Sequence, residues 1–116
     1  MRIHRKMSDS EWVQKNATLS HKNAMKEFGL SEGQIVQGMK SGKLQYRENY
    51  AHGNPYFRVL RSEVKKLAIE INGTTGVEKQ EAQHQLNEIN RQINSFKRKL
   101  KSLEKEKNRL IEIHKL

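Results

Sequence analysis

The sequence lacks cysteine, contains one proline, and only 34% of its 116 residues are hydrophobic. Without cysteine there is no disulfide, no thiolate nucleophile and no cysteine-ligated zinc site. No stretch approaches the roughly 20 apolar residues that span a bilayer, and no apolar run follows the basic start MRIHRKM as it would in a secretory signal. We therefore expect a cytoplasmic protein with no membrane partner and a core built over only part of the chain.

Catalytic and cofactor-binding motifs are also missing. The five histidines (His4, His21, His52, His84 and His114) lie too far apart for an HExxH motif. Neither a P-loop nor a GxGxxG motif is present, and no pair of carboxylates stands in an apolar context. The sequence therefore predicts a protein that is not an enzyme, with no metal site, no cofactor and no evident small-molecule effector.

Positive charge is what the sequence has in excess. Lysine and arginine number 23 against 13 aspartates and glutamates, a formal net charge of +10 at pH 7. Such an excess indicates a polyanionic partner and favours nucleic acid over an anionic membrane. The alternative is a basic protein whose charge serves only its solubility. Both halves of the chain are basic, so charge alone does not show which half meets the partner.

The segment NGTTG, residues 72–76, is typical of a turn or flexible joint. It predicts a first domain over residues 1–72, a linker over 73–77 and a helical second domain over 78–116. Within the first domain, SDSEWVQKNA (8–17) predicts a helix capped by Ser8 or Ser10.

Two further helices are marked by their caps. SHKNAMKEFG predicts a helix between an N-cap at Ser20 and a C-terminal glycine at Gly29. SEGQIVQGMKSG predicts another, opened by a capping box of Ser31 and Gln34 and closed by Gly42. Its expected buried face consists of Ile35, Val36 and Met39. Because only GLS separates the two helices, we expect them to cross steeply, as in a helix-turn-helix.

One stretch, LQYRENYAHGNPYFRVL (44–60), predicts a β-hairpin. Its turn is HGNP, where Gly53 and Asn54 tolerate a positive φ. Alternation places one set of side chains toward the helices and the other outward; the inward set is Leu44, Tyr46, Phe57 and Val59, and the outward set is Gln45, Arg47, Tyr56 and Arg58. A helix beginning at Ser62 follows, so helices flank the hairpin and supply the packing that a lone hairpin lacks.

The stretches NAMKEFGLSEGQIVQGMKSGKL and YFRVLRSEVKKL resemble the MerR-type and excisionase-type winged-helix family. The resemblance covers about residues 19–71 and implies that the second helix enters the DNA major groove while the hairpin, or wing, contacts phosphate or the minor groove. Carried over, the groove-facing residues are Ser31, Gln34, Gln37 and Lys40, and the wing contacts include Arg47 and Arg58. The family usually has aromatic residues and an arginine where this chain has VQGMK. It also has effector domains and metal-sensing cysteines that are missing here, so ligand-controlled regulation does not follow.

The chemistry of these side chains is compatible with such a role. Glutamine can pair with adenine through two hydrogen bonds, as Gln34 and Gln37 would. Basic side chains can neutralise phosphates; the candidates are Lys40, Lys43, Arg47, Arg58 and Arg61. Alternatively, aromatic side chains of the hairpin could stack on single-stranded bases; these are Tyr46, Tyr50, Tyr56 and Phe57.

After the glycine-rich segment, apolar residues recur at alternating steps of four and three, as in a coiled coil. The seam runs through Ala82, Leu86, Ile89, Ile93, Phe96, Leu100, Leu103, Lys107, Leu110 and His114. Such a helix is about 50 Å long, and its narrow stripe needs a partner helix, most economically a second copy. The apolar residues that we expect to form the dimer contact are Leu86, Ile89, Ile93, Phe96, Leu100, Leu103 and Leu110.

The charges beside this seam favour an antiparallel homodimer. Lys97 and Glu104 occupy e positions, and Lys99 and Glu106 occupy g positions. When Leu100 faces the partner's Leu103 in antiparallel helices, Lys97 pairs with the partner's Glu104 and Lys99 pairs with the partner's Glu106, and each pair forms twice. Parallel helices pair only Lys99 with the partner's Glu104. The basic run FKRKLK (96–101) is interpreted as the solvated side of the helix.

Together these features predict a mostly α fold with one β-hairpin, a winged helix-turn-helix domain followed by a long coiled-coil helix. The predicted function is sequence-dependent binding of double-stranded DNA as a dimer, as in a transcription regulator, an excisionase-like protein or a phage-type DNA adaptor. Two alternatives stay open: a protein-interaction scaffold that does not bind DNA, and a module for single-stranded or damaged DNA.

Overall fold

A computed structural model describes the backbone of residues 9–116 and the side chains of residues 11–116. The described chain is mostly helical, with a small antiparallel sheet and a long C-terminal helix. It divides into two compact units, a first that ends at His84 and a second, Gln85–Leu116. We call the first the head and the second the C-terminal segment.

Four helices and three strands make up the described chain. In chain order they are α1 (Asp9–Val13), β1 (Thr18–Ser20), α2 (His21–Phe28), α3 (Glu32–Ser41), β2 (Tyr46–Ala51), β3 (Asn54–Leu60) and α4 (Arg61–His114). The helix predicted over residues 8–17 is shorter than expected, because Asn16 takes a left-handed φ of 65° and Thr18 already begins a strand. The predicted caps Ser8 and Ser10 lie outside the described side chains.

The caps of α2 and α3 are those that the sequence predicts. The Ser20 hydroxyl accepts a hydrogen bond from the N–H of Asn23, and Gly29 closes α2 in the left-handed conformation. At α3 both halves of the capping box are present, and Gly42 takes the left-handed conformation at the end. Side-chain acceptors of this kind satisfy N–H groups that a helix leaves unpaired at its start.

The sheet has the strand order β1–β3–β2, with both pairs antiparallel. Strand β1, which immediately precedes α2, pairs with the last residues of β3 in the register Thr18–Leu60, Leu19–Val59 and Ser20–Arg58. This third strand was not predicted. It gives the hairpin a second hydrogen-bonded neighbour, and a three-stranded sheet packed on helices is stable where an isolated hairpin is marginal.

The hairpin turn lies one residue earlier than predicted. Ala51 pairs with Asn54, so the two turn residues are His52 and Gly53, with φ values of 53° and 83°. Two consecutive positive φ values are typical of a type I′ turn, whose twist matches that of the flanking strands.

The predicted alternation along the hairpin is confirmed only in part. Leu44 and Val59 are buried, at 1% and 0% exposure, but Tyr46 is 50% exposed. The Tyr46 ring contacts Phe57 edge-on, with centroids 5.5 Å apart. Strand β2 lies at the edge of the sheet, so its side chains have a neighbouring strand on one side only.

The core of the head is formed by apolar side chains from α2, α3, the sheet and α4. Its largest members, all below 2% exposure, include Phe28, Ile35, Leu44, Val59, Val64 and Val77. Val36, predicted to be buried, is 37% exposed. At 100° per residue, the buried Ile35 and Met39 place Val36 toward the outer side of α3. Gly38, and not Val36, completes the inner face.

The predicted linker is also different in the structure. Helical geometry is interrupted at Gly73 alone, which has φ 78° and ψ 164°, and it resumes at the next residue. Val77 is 2% exposed and belongs to the core of the head. The head therefore extends to His84, beyond the predicted boundary at residue 72, because the amphipathic start of the second helix packs on it.

Substitution of Gly38 tests the packing of α3. A Cβ at this position would lie 2.9 Å from side-chain carbons of Leu44 and Leu67, whereas at Gly33 the nearest atom is the Ser31 hydroxyl at 3.8 Å. We expect Gly38→Val to lower the free energy of unfolding by about 1–3 kcal/mol through overpacking, and Gly33→Val to change it by less than about 0.5 kcal/mol. Urea denaturation of both variants checks this. Equal effects at the two glycines would contradict the packing.

Candidate nucleic-acid interface

The outer side of α3 is a continuous exposed surface. Its inner side is occupied by the buried Ile35, Gly38 and Met39. At 100° per residue the opposite side of the helix must then carry Gly33, Val36, Gln37 and Lys40, and all four are exposed. We call these four residues the α3 surface. It combines an amide, an ammonium group and an aliphatic side chain, with a glycine near the helix start.

Two predicted groove-facing residues, Ser31 and Gln34, serve the helix cap. The Gln34 carboxamide oxygen accepts a hydrogen bond from the Ser31 N–H at 2.9 Å, and the Ser31 hydroxyl accepts one from the Gln34 N–H at 3.1 Å. A bidentate contact to adenine needs the same carboxamide oxygen. The cap contact therefore orients the Gln34 carboxamide toward the start of its own helix, whereas Gln37 lies on the exposed α3 surface.

The two lysines near the end of α3 differ in their surroundings. Lys40 lies on the exposed α3 surface. The ammonium group of Lys43, in the connection to β2, lies 2.7 Å from the Glu70 carboxylate, with both side chains more than half exposed. A surface pair of this kind contributes about 0–1 kcal/mol, so a phosphate could compete for Lys43.

Arg47 and Arg58 are direct cross-strand neighbours on β2 and β3. Like charges placed opposite each other in a sheet are destabilising, and each guanidinium has a local contact that moderates this. Arg58 is half-buried and donates to the Thr18 hydroxyl from Nε and Nη2, at 3.2 and 2.8 Å. Arg47 is exposed and lies over the ring of Trp12 on α1, 4.4 Å from its centroid. The result is a concentration of positive charge on one face of the sheet.

Arg61, predicted to contact phosphate, is used inside the head. Its Nε and Nη2 donate to the two carboxylate oxygens of Glu27, at 2.7 and 3.2 Å, and Nη1 donates to the Asn16 carbonyl. The side chain of Glu27 is only 17% exposed. This arrangement ties the start of α4 to α2 and to the turn before β1. We therefore leave Arg61 out of the candidate interface.

Aromatic side chains stand exposed on the hairpin. Tyr46 and Tyr50 are 50% and 67% exposed, and they lie on the same side of β2 because they are four residues apart. The Tyr50 hydroxyl donates to the Glu48 carboxylate at 2.8 Å, and this hydrogen bond, together with the negative charge, raises the pKa of Tyr50. Tyr56 and Phe57 are half-buried.

The C-terminal segment is helical as predicted and leaves its apolar seam uncovered within the described chain. All seven predicted dimer-contact residues are at least 40% exposed, with Phe96 and Leu103 at 65%. Further exposed apolar residues follow at Ile111 and Ile113. Near the end of the seam Glu106 accepts hydrogen bonds from Arg109, which lowers the pKa of Glu106.

Membrane-spanning helices and metal-binding clusters are both absent from the part of the chain that the structure describes. Over residues 9–116 no helix is long and apolar enough to cross a membrane. Among the same residues no three His, Cys, Asp or Glu side chains are grouped so that they could hold a metal ion.

Three residues of the candidate nucleic-acid interface were not predicted from the sequence. Trp12 and Thr18 hold the two hairpin arginines, and Val36 belongs to the outer side of α3. Val36 could have been found from its neighbours, because Ile35 and Met39 fix the inner side of the helix and leave no room there for residue 36. Thr18 lies in β1, whose three residues are too few for alternation to predict a strand. The contact of Trp12 with Arg47 joins residues that are distant in sequence.

Comparison of the chain with protein-family models, with curated proteins and with solved structures found no significant match. The interpretation of the surface therefore depends on its geometry and chemistry.

Arg61 and Lys43 offer a matched test of which basic residues serve the fold. Arg61→Ala leaves the mostly buried Glu27 carboxylate without its bidentate partner, and we expect it to lower the free energy of unfolding by about 1.5–3 kcal/mol. Lys43→Ala breaks only an exposed pair and should cost less than about 1 kcal/mol. Thermal and urea unfolding of the two variants measure this. An Arg61 variant as stable as the Lys43 variant would show that the ion pair with Glu27 does not stabilise the head.

Proposed function

We propose that the head binds double-stranded DNA as a winged helix-turn-helix module, with α3 in the major groove and the β2–β3 hairpin as the wing. The observation that supports this most is the order and pairing of the elements. Two helices joined by three residues are followed by a hairpin, and the strand that precedes the helices completes the sheet beside β3. Motifs of this kind place their second helix against base edges.

The α3 surface has the chemistry that major-groove contacts need. The Gln37 carboxamide can accept from and donate to the edge of adenine, and the exposed methyl groups of Val36 can contact the methyl group of thymine. Lys40 can neutralise a phosphate beside the groove. With no side chain at Gly33, the first turn of α3 can approach a DNA backbone closely.

The hairpin supplies a second cationic surface. The opposed pair Arg47 and Arg58 is unfavourable for the sheet by itself, and a bound polyanion would relieve the repulsion. Arg47 is the more accessible of the two, because its side chain is exposed whereas that of Arg58 is half-buried. We propose that Arg47 contacts phosphate, and that Arg58 contributes its charge from a half-buried position.

The C-terminal segment then serves as the dimerisation element. Its exposed seam matches a coiled-coil repeat, and pairing of two copies would present two heads to DNA. A dimer of this type acts in the cytoplasm as a transcription regulator, an excisionase-like protein or a phage-type DNA adaptor.

Titration with nucleic acids at several salt concentrations tests the proposal. We expect the full chain to bind random-sequence duplex with an affinity that falls steeply with salt, because phosphate contacts release counterions. Binding to neither duplex nor single strand would overturn the proposal and favour the scaffold function.

A second candidate, binding of single-stranded DNA, is favoured by one observation. Tyr46 and Tyr50 are exposed on the same side of β2, where successive bases could stack at about 1–3 kcal/mol each. A preference for single strands over duplex that Tyr50→Ala abolishes would select this candidate. Tyr50→Ala should leave duplex binding by α3 nearly unchanged.

Lys40→Ala is expected to weaken binding to all duplexes and to reduce the slope of log K against log salt by about 0.9, the value for one phosphate contact. Lys79→Ala removes the same charge from an exposed position in α4 and serves as the control. Fluorescence anisotropy at four salt concentrations measures both slopes. Equal slopes in the two variants would remove Lys40 from the interface.

Gln37→Ala is expected to reduce the preference for the best duplex sequence more than it reduces binding to random duplex, because base contacts specify and phosphate contacts position. We expect a loss of discrimination of about 1–3 kcal/mol at one base-pair position. Selection of bound duplexes from a randomised pool, followed by sequencing, gives the preferences of parent and variant. An unchanged sequence preference would contradict a base-reading role for Gln37.

A further inference from the structure

The C-terminal segment carries more exposed apolar surface than a solvated helix tolerates. Its seam residues Leu86, Ile93, Leu100 and Leu103 are between 43% and 65% exposed. A single helix with so narrow an apolar stripe gains little from burial and needs a partner of the same period. A second copy of the chain has the same apolar repeat. The charges beside the seam determine the orientation and the register in which the two helices pair.

Four charged residues flank the middle of the seam. Lys97 and Glu104 lie on one edge, and Lys99 and Glu106 on the other. In antiparallel helices each edge faces the same edge of the partner. When Leu100 faces the partner's Leu103, Lys97 meets the partner's Glu104 and Lys99 meets the partner's Glu106. A slide of one heptad in either direction sets lysine against lysine or glutamate against glutamate.

A parallel, in-register dimer is less favourable in the seam itself. It places Lys107, an a position, against the partner's Lys107, so that two like charges meet where apolar side chains should pack. The antiparallel register places Lys107 against the partner's Phe96 instead. The lysine stem can pack on that ring while its ammonium group reaches water or lies over the ring face.

The extent of the head determines where the coil can begin. Residues up to His84 belong to the head, where Gln80 donates to the Lys26 carbonyl and Glu81 pairs with Lys65. The seam available to a partner therefore begins at residue 85.

We infer that two copies pair antiparallel through residues 85–116, so that their heads are attached at opposite ends of the coil and hold two separate duplex segments. With Leu100 facing the partner's Leu103, the two copies of residue 85 lie about 50 Å apart along the coil, at 1.5 Å per residue. The dimer thus bridges two duplex segments. This inference rests on the proposed function of the head.

Disulfide cross-linking tests the orientation without DNA, and the chain has no native cysteine to interfere. Ile93→Cys and Leu110→Cys face each other only in the antiparallel register. We expect efficient cross-linking when the two variants are mixed and little within Ile93→Cys alone, because there the two sulfurs are about 25 Å apart. Dominant cross-linking within Ile93→Cys would overturn the inference.

A spin label at an exposed position keeps the test valid should a seam cysteine weaken the dimer. Labelled Asn87→Cys should give a distance of about 40 Å or more between its two copies in antiparallel helices. A distance below about 20 Å would establish the parallel arrangement and overturn the inference.

Bridging is measured by capture of a fluorescent duplex on beads that carry a second duplex. We expect the parent chain to capture it. We expect Leu100→Glu, which sets a charge against the partner's Leu103, to bind single duplexes but to lose at least nine-tenths of the capture. Antiparallel cross-links without capture, in a chain that binds duplex, would overturn bridging and leave the proposed function intact. Absence of any duplex binding would overturn the proposed function, while the cross-links would still decide the orientation.

Discussion

The pairing of β1 with the base of β3 is the interaction on which the rest of the head depends. Three residues before α2 hydrogen-bond to the end of the hairpin, and the Arg61 N–H donates to the Ala17 carbonyl at 2.9 Å beside them. This pairing turns a marginal hairpin into a three-stranded sheet. It also joins the chain before the helix pair to the chain after it. The Thr18 hydroxyl lies where it can accept from Arg58, and the Arg61 ion pair with Glu27 closes the same junction.

With the sheet fixed in this way, α3 is held by its inner side and leaves its outer side exposed. Gly38 lets the helix approach Leu44 and Leu67 more closely than any residue with a Cβ would. The capping box fixes where the helix begins. The outer residues Val36, Gln37 and Lys40 therefore project from a rigid element, which is what a contact with base edges requires. In the proposed function, the hairpin arginines add charge from a second rigid element of the same head.

Features set by local chemistry could be predicted from the sequence, and features set by long-range pairing could not. Ser20, Ser31, Gly29 and Gly42 mark the ends of α2 and α3 because capping involves neighbours three or four residues apart. The strand TLS is too short to show alternation, so the sequence does not predict β1 and predicts a helix longer than α1. The role of Arg61 was also missed, because its partner Glu27 is distant in sequence and any exposed-looking arginine can be taken for a phosphate contact. The glycine-rich segment predicts a linker, but only Gly73 departs from helical geometry and Val77 packs in the core.

The central claim is that α3 and the hairpin together form the DNA-binding surface of the head. Backbone amide chemical shifts of the ¹⁵N-labelled full chain, followed during titration with duplex DNA, test it most directly because every element reports separately. The account predicts the largest changes at Gly33, Gln37, Lys40 and Arg47, with small changes over residues 61–72 of α4. Changes confined to the basic run at residues 96–101 of the C-terminal segment, or no changes in the head, would contradict it.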